Sequence, residues 1–290
     1  LIVKTLSVAP HSQKGFGLAE LMVTLTIMAV VLAAVFFTLN RSQRQTQRLT
    51  KVAEMRQMAR TAVQLIERET RMAGSGWGRI TVQGSNNGSA YSVMAVNPGY
   101  GSVATSDSVR LVGAWLANST LTAVLTTAST AVSIASNSGF ATNDLFLVTD
   151  GSHAHLFQCT GLSSTTGLLH ANTSKYNVTG GTAFAGWPAG GYPIGANVYK
   201  LTVATYRYDS TSYKRPALVR QEVGGTAQIV AYNVNGFHVI YELQDGTWTR
   251  NPADMNQVNK VIPVVLTRVT DNRLTTLSDS VWAAVTPRTF

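Results

Sequence analysis

Between Leu18 and Ala73 the chain holds neither glycine nor proline, although 22 of its 24 glycines and seven of its eight prolines lie outside residues 1–73. Both residues break helices, glycine through backbone entropy and proline through its missing N–H and ring clash. The 56-residue stretch is therefore free to form one helix, about 84 Å long at ~1.5 Å per residue. Few globular folds bury a helix of that length, so its two halves must meet different surroundings.

The halves do differ. Leu21 to Leu39 is apolar on every side, interrupted only by Thr24, Thr26 and Thr38. Their hydroxyls can bond back to the preceding turn, which makes them tolerable in lipid. An all-round apolar segment of 19 residues reads as a membrane span. After Asn40 the pattern turns amphipathic, with Leu49, Val52, Met55, Ala59, Ala62, Val63 and Ile66 recurring every three or four residues. That stripe needs a packing partner, and Gly74, Gly76 and Gly78 are expected to stop the helix.

The formal charge of +9 concentrates in the same region: Arg41 to Arg71 contains eight basic residues and three acids. Such a block raises nucleic acid or anionic lipid as partners. Beside an apolar span, interfacial anchoring accounts for it most simply. One cysteine, Cys159, excludes an intrachain disulfide framework and a cysteine zinc cluster.

Beyond Gly78 short β-rich runs alternate with turn signals: SVRLVGAWL, DLFLVTD, HAHLFQC, NVYKLTVATYRY, AQIVAYNV, FHVIYELQ and VIPVVLTRVT. Asn235-Gly236 predicts a type I′ hairpin between two of them, and Asp150-Gly151 and Asp245-Gly246 predict further reversals. The Ser/Thr/Ala tract from about Ser119 to Ala141 reads as edge strands or a loose excursion. A helical turn is expected between Pro252 and Lys260.

The head of the apolar run carries the chemistry. Lys4 and Lys14 lie in a polar stretch ending at Gly15, followed by Phe16-Gly17-Leu18-Ala19-Glu20. A carboxylate at the bilayer centre costs about 2.5–3.5 kcal/mol on the insertion scale and less near the interface, so Glu20 calls for a partner. Cleavage after Gly15 would create a cationic amine on Phe16, one helical turn from Glu20. An ordinary secretory signal differs, with its small-residue cleavage site after the apolar core.

This arrangement resembles the signal of type IV prepilins: a basic residue and glycine, then phenylalanine, then glutamate at the fifth mature position. Lys14, Gly15, Phe16 and Glu20 match residue for residue. Gly17 stands where threonine or serine is usual, and Ala19 where a larger apolar residue is usual. The resemblance implies cleavage between Gly15 and Phe16 by prepilin peptidase, with Lys14 as the recognition basic residue. It also implies N-methylation of Phe16 and a salt bridge from Glu20 to the Phe16 amine of a neighbouring subunit. The positive-inside rule would hold Arg41, Arg44, Arg48 and Lys51 in the cytoplasm. The resemblance implies the opposite, N-terminus in, and the rule is weak for long translocated domains.

More faintly, IERETRMAGSGWG, LFLVTDGSHAHLFQCT, IVAYNVNGFHVIYELQDG and VNKVIPVVLTRVT are similar to the PilW family of minor pilins. The minor pseudopilin J of type II secretion is similar in plan. The expected fold is α+β and pilin-like, a long N-terminal helix packed on a β-rich head. Its parts are a leader over 1–15, a transmembrane half over 16–39, an amphipathic stalk over 40–73 and a periplasmic head over 74–290. The resemblance implies other minor pilins, the major pilin, prepilin peptidase and an inner-membrane assembly platform as partners. It places the subunit in the bacterial inner membrane, then in the pilus at the cell surface. The rival class is a signal-anchored periplasmic binding or enzymatic domain.

No catalytic set is visible: G-x-S-x-G, P-loop, H-E-x-x-H and Rossmann patterns are absent. No enzyme, cofactor or metal is expected. His153, His155 and Cys159 would share one strand face, yet no fourth ligand can be assigned and a polar strand is the simpler reading. The tryptophans Trp77, Trp115, Trp187, Trp248 and Trp282 read as core and turn packing. Lys214, Arg215 and Arg220 are the head's candidates for DNA.

Overall fold

The computed structural model describes residues 17–100, 106–114, 116, 118–128, 131–171, 174–178, 184–270 and 276–287. Lys14, Gly15, Phe16, Trp115 and the expected leader lie outside them. The fold is α+β: one helix, Leu18–Met72 of 55 residues, followed by strands. The chain divides into two units, 1–51 and 52–290, each compact by its own contacts.

In the first unit the helix opens at Gly17, whose carbonyl accepts from the Glu20 and Leu21 N–H groups. Its apolar side chains face outward on all sides, Leu18 being 79% and Phe37 71% exposed. Thr24, Thr26 and Thr38 donate back to carbonyls three or four residues earlier, at 2.8–3.0 Å, as their setting in an apolar stretch requires. Leu49, expected on the packing stripe, is 62% exposed.

In the second unit burial begins at Met55 and continues through Ala59, Ala62, Val63, Ile66, Glu69 and Thr70. The helix ends at Met72, where Gly74, Gly76 and Gly78 adopt φ of 78°, 101° and 61°. Gly76 is required twice over, because a Cβ there would lie 2.7 Å from the Ala114 Cβ.

Two sheets share the helix. The larger has ten strands organised on Asn197–Asp209. That strand pairs with Leu145–Thr149 over its first half and with Asp107–Gly113 and Ala217–Glu222 over its second. The smaller has four strands, in the order Trp248–Thr249, Val234–Leu243, Val258–Thr270, Thr276–Trp282. Ala59, Ala62, Val63 and Ile66 pack in one core with Leu111, Tyr206 and Leu218 of the first sheet and Phe237, Val239, Tyr241 and Val265 of the second.

Strands Leu145–Thr149 and Ala154–Gln158 are buried on both faces. Leu145, Leu147, Ala154 and Leu156 belong to the helix-side core. Phe146, Val148 and Phe157 belong to a second core closed by Leu121, Leu125, Val132, Ile134 and Tyr192. This explains the unbroken apolar run from Leu145 to Val148, where one solvated face would impose alternation. It also gives the Ser/Thr/Ala tract a role, since its spaced apolar residues roof the second core. The expected helical turn near Lys260 is a single 3-10 turn, Met255–Gln257.

Asn235-Gly236 does not form the expected hairpin. It lies inside the strand Val234–Leu243, at a register shift between Val234 and Gly236. A type I′ turn needs positive φ at both central residues, and neither has it; Asn233 does, at 58°. The two runs belong to different sheets, and the chain crosses between them at Asn233. Asp150-Gly151 and Asp245-Gly246 are reversals as expected, with Gly151 at φ 88° and Gly246 at 84°. Trp77 is buried, whereas Trp248 and Trp282 are 59% and 61% exposed, because both point away from the core side of the smaller sheet.

One polar cluster fixes the end of the helix to the larger sheet. Glu69 is 6% exposed; it accepts from the Tyr206 hydroxyl at 2.7 Å and from Arg220 Nε at 2.9 and 3.2 Å. Arg220 also reaches Glu222 at 2.7 Å. Burial, then the neighbouring Glu69 carboxylate, hold the Tyr206 phenol far above its ordinary pKa. Removing one partner of a buried pair leaves the other charged and unmatched. Glu69→Ala and Arg220→Ala are each expected to destabilise the detergent-solubilised chain by about 3–5 kcal/mol. Together they should cost less than the sum, and additive shifts in thermal unfolding would contradict the pairing.

Candidate functional site

The N-terminal end of the apolar helix is where charge and burial conflict. Glu20 sits in the first turn, among the exposed Leu18, Leu21 and Met22. Its Oε2 accepts from the Gly17 N–H at 3.2 Å. With Gly17 as the residue preceding the first helical position, this is the back-reaching half of a capping box, in which the third helical residue satisfies an N–H the helix leaves free. Among the described residues Glu20 has no cationic partner, and its other oxygen, Oε1, has no hydrogen bond.

From Leu21 to Leu39 the helix exposes a lipid-compatible surface. It is long and apolar enough to cross a membrane, and the most apolar stretch is not buried at all. Patches this large are rarely left in water, so lipid or other helices must cover them.

Residues 10–36 match the family described as the prokaryotic N-terminal methylation motif. The chain carries a prepilin-type N-terminus. This supports a type IV pilin-like or pseudopilin subunit, and it implies processing by a prepilin peptidase and assembly with other pilins. Motif and apolar helix together indicate a membrane-anchored protein. The matched stretch ends within the apolar run and does not reach the strands. No curated protein and no solved structure matched the chain.

The prepilin-type motif leaves the head's polar groups to be placed one by one. His153 lies in a turn and faces Asp150 at 3.0 Å, so it does not share the face of His155 and Cys159. His155 is buried, its Nε2 lying 3.2 Å from the Ala185 carbonyl and its Nδ1 2.5 Å from the Tyr192 hydroxyl. A carbonyl only accepts, so Nε2 carries the proton and Nδ1 accepts from Tyr192. That uses the lone pair a metal would need. The Cys159 thiol donates to the Gly161 carbonyl at 3.2 Å, and burial pushes its pKa up. Among the described residues no three His, Cys, Asp or Glu side chains converge.

The three basic residues singled out for DNA are not brought together. Arg220 is committed to Glu69 and Glu222. Lys214 and Arg215 line an open depression of about 450 Å³ with Ser212, Tyr213 and Tyr232. Asp209 fixes that loop by accepting from the Ser212 and Thr211 N–H groups at 2.9 and 3.0 Å, which holds its pKa far below the ordinary value.

Sequence reasoning missed the Glu69 cluster, though a signal was present. Met55, Ala59, Ala62, Ile66 and Glu69 recur at steps of four and three, which puts an acid on the buried face.

Burial is the main reason His155 titrates below its ordinary value, against the opposing pull of the Ala185 carbonyl. Its contribution to stability is full above the unfolded value of about 6.5 and is lost as pH falls through the lower folded value. His155→Gln should flatten the decline in unfolding temperature below about pH 6.5. A decline of unchanged slope would show that other groups cause it.

Proposed function

We propose that the chain is a non-catalytic minor pilin of the PilW type, acting in the initiation of a type IV pilus within a tip complex. Glu20 carries this reading: a carboxylate at the head of an apolar helix, held by its own first turn and lacking a cation among the described residues. Cleavage between Gly15 and Phe16, with Lys14 as the recognition residue, would release an amine on Phe16. Methylated Phe16 of one subunit then meets Glu20 of the next as the helices leave lipid and pack on one another. The large strand-rich head supports a minor over a major subunit, on the resemblance described above. The N-terminus would stay cytoplasmic and the head periplasmic before assembly, and the head would reach the cell surface afterwards. DNA contact is not needed for this role.

A J-type pseudopilin of a secretion system shares every feature of the N-terminal helix and is the nearest alternative. A signal-anchored periplasmic domain is the other, and it predicts a different N-terminus. Mass spectrometry of membrane-extracted protein should find a chain beginning at methylated Phe16; retention of Lys4 and Lys14 would favour the anchor. Glu20→Ala should be cleaved normally yet abolish pilus initiation. Normal piliation in that variant would remove Glu20 from the assembly step.

A further inference from the structure

The helix carries a charge pattern that neither the N-terminal motif nor the head explains. Arg41, Arg44, Arg48 and Lys51 are three, four and three residues apart. At 100° per residue, they occupy an arc of about 80° on one face. No acid occurs between Leu21 and Ala53. Arg41, Arg44 and Lys51 are exposed and Arg48 is half-buried. None of the four has a hydrogen bond or ion pair among the described residues, whereas Arg56 reaches Asp279 and Arg71 reaches Glu67.

We propose that this stripe binds the phosphate groups of anionic phospholipids on the side of the membrane where the helix emerges. The proposal rests on the membrane-anchored reading and specifies what holds the exit point of the span. Arg41 follows the last apolar residue, Leu39, by two positions, about 3 Å of helix rise, and Lys51 lies about 18 Å beyond Leu39. The headgroup layer is roughly 5–8 Å deep on each side, and an exposed charge acts over a further ~8–10 Å. Helical side chains also lean toward the N-terminus, so long Arg and Lys stems reach back toward the phosphates. Arginine's planar fork suits a phosphate's paired oxygens. Lipid is favoured over nucleic acid because only lipid phosphates sit at a fixed height beside the end of the span. A stripe on one face also draws that side of the helix toward the bilayer, giving its tilt a direction.

The test uses the full-length chain in phosphatidylcholine vesicles, with trace spin-labelled phosphatidylglycerol or spin-labelled phosphatidylcholine. Paramagnetic resonance reads the motionally restricted lipid at the protein. A roughly threefold preference for the anionic label at low salt is expected. It should fall toward unity at about 1 M salt, where screening acts within ~3 Å. It should fall equally in R41Q/R44Q/R48Q/K51Q, which keeps good helix formers throughout. Unchanged preference in that variant overturns the proposal. So does an equal loss in R60Q/R68Q, which removes exposed charge outside the stripe. No restricted lipid of either kind in the wild-type chain would instead overturn the membrane reading itself.

Discussion

Among the described residues nothing buries the apolar surface of residues 18–39, and the rest of the molecule follows from that. Burial normally supplies most of the driving force for folding. Here a segment of span length keeps its hydrophobic side chains outward on every side. It can be stable only where lipid or other helices replace water. The strands do not solve this problem, because the first buried residue of the helix is Met55. One helix thus serves two environments, and the change falls near the end of the basic stripe.

Much of this was legible beforehand for a physical reason. Glycine and proline act locally, so their absence marked the helix and their return marked its end at Met72. The strand runs were equally plain, since β-branched and aromatic clusters bounded by turn residues need no knowledge of the partner strand. Partnering was the hidden part. Asn235-Gly236 has hairpin composition, yet its flanking runs pair with Ala217–Glu222 on one side and Val258–Thr270 on the other. Local chemistry cannot say which sheet a strand joins. The double burial of Leu145–Thr149 was half visible: its unbroken apolar run signalled it, but the roof contributed by a serine- and threonine-rich tract carried no pattern of its own.

The candidate site divides along the same line. The N-terminal motif is a linear string that needs no folding to be read, and residues 10–36 match the prokaryotic N-terminal methylation motif. Glu69 and Arg220 lie 151 positions apart, and only folding shows that they meet. That meeting reassigns Arg220 from a surface charge open to DNA to a fastening between helix and sheet. The histidines tell the same story, for His155 is occupied by Tyr192 and Ala185, neither of which is near it in sequence.

The Gly17–Glu20 hydrogen bond has a consequence for recognition. It ties one carboxylate oxygen to the backbone and leaves the other without a hydrogen bond, so the side chain is held before any visitor arrives. A cation docking there would not have to freeze a wandering rotamer or unwind the opening turn, and pre-organisation of this kind lowers the entropic toll of association. The short cap thus narrows the positions open to the Glu20 carboxylate.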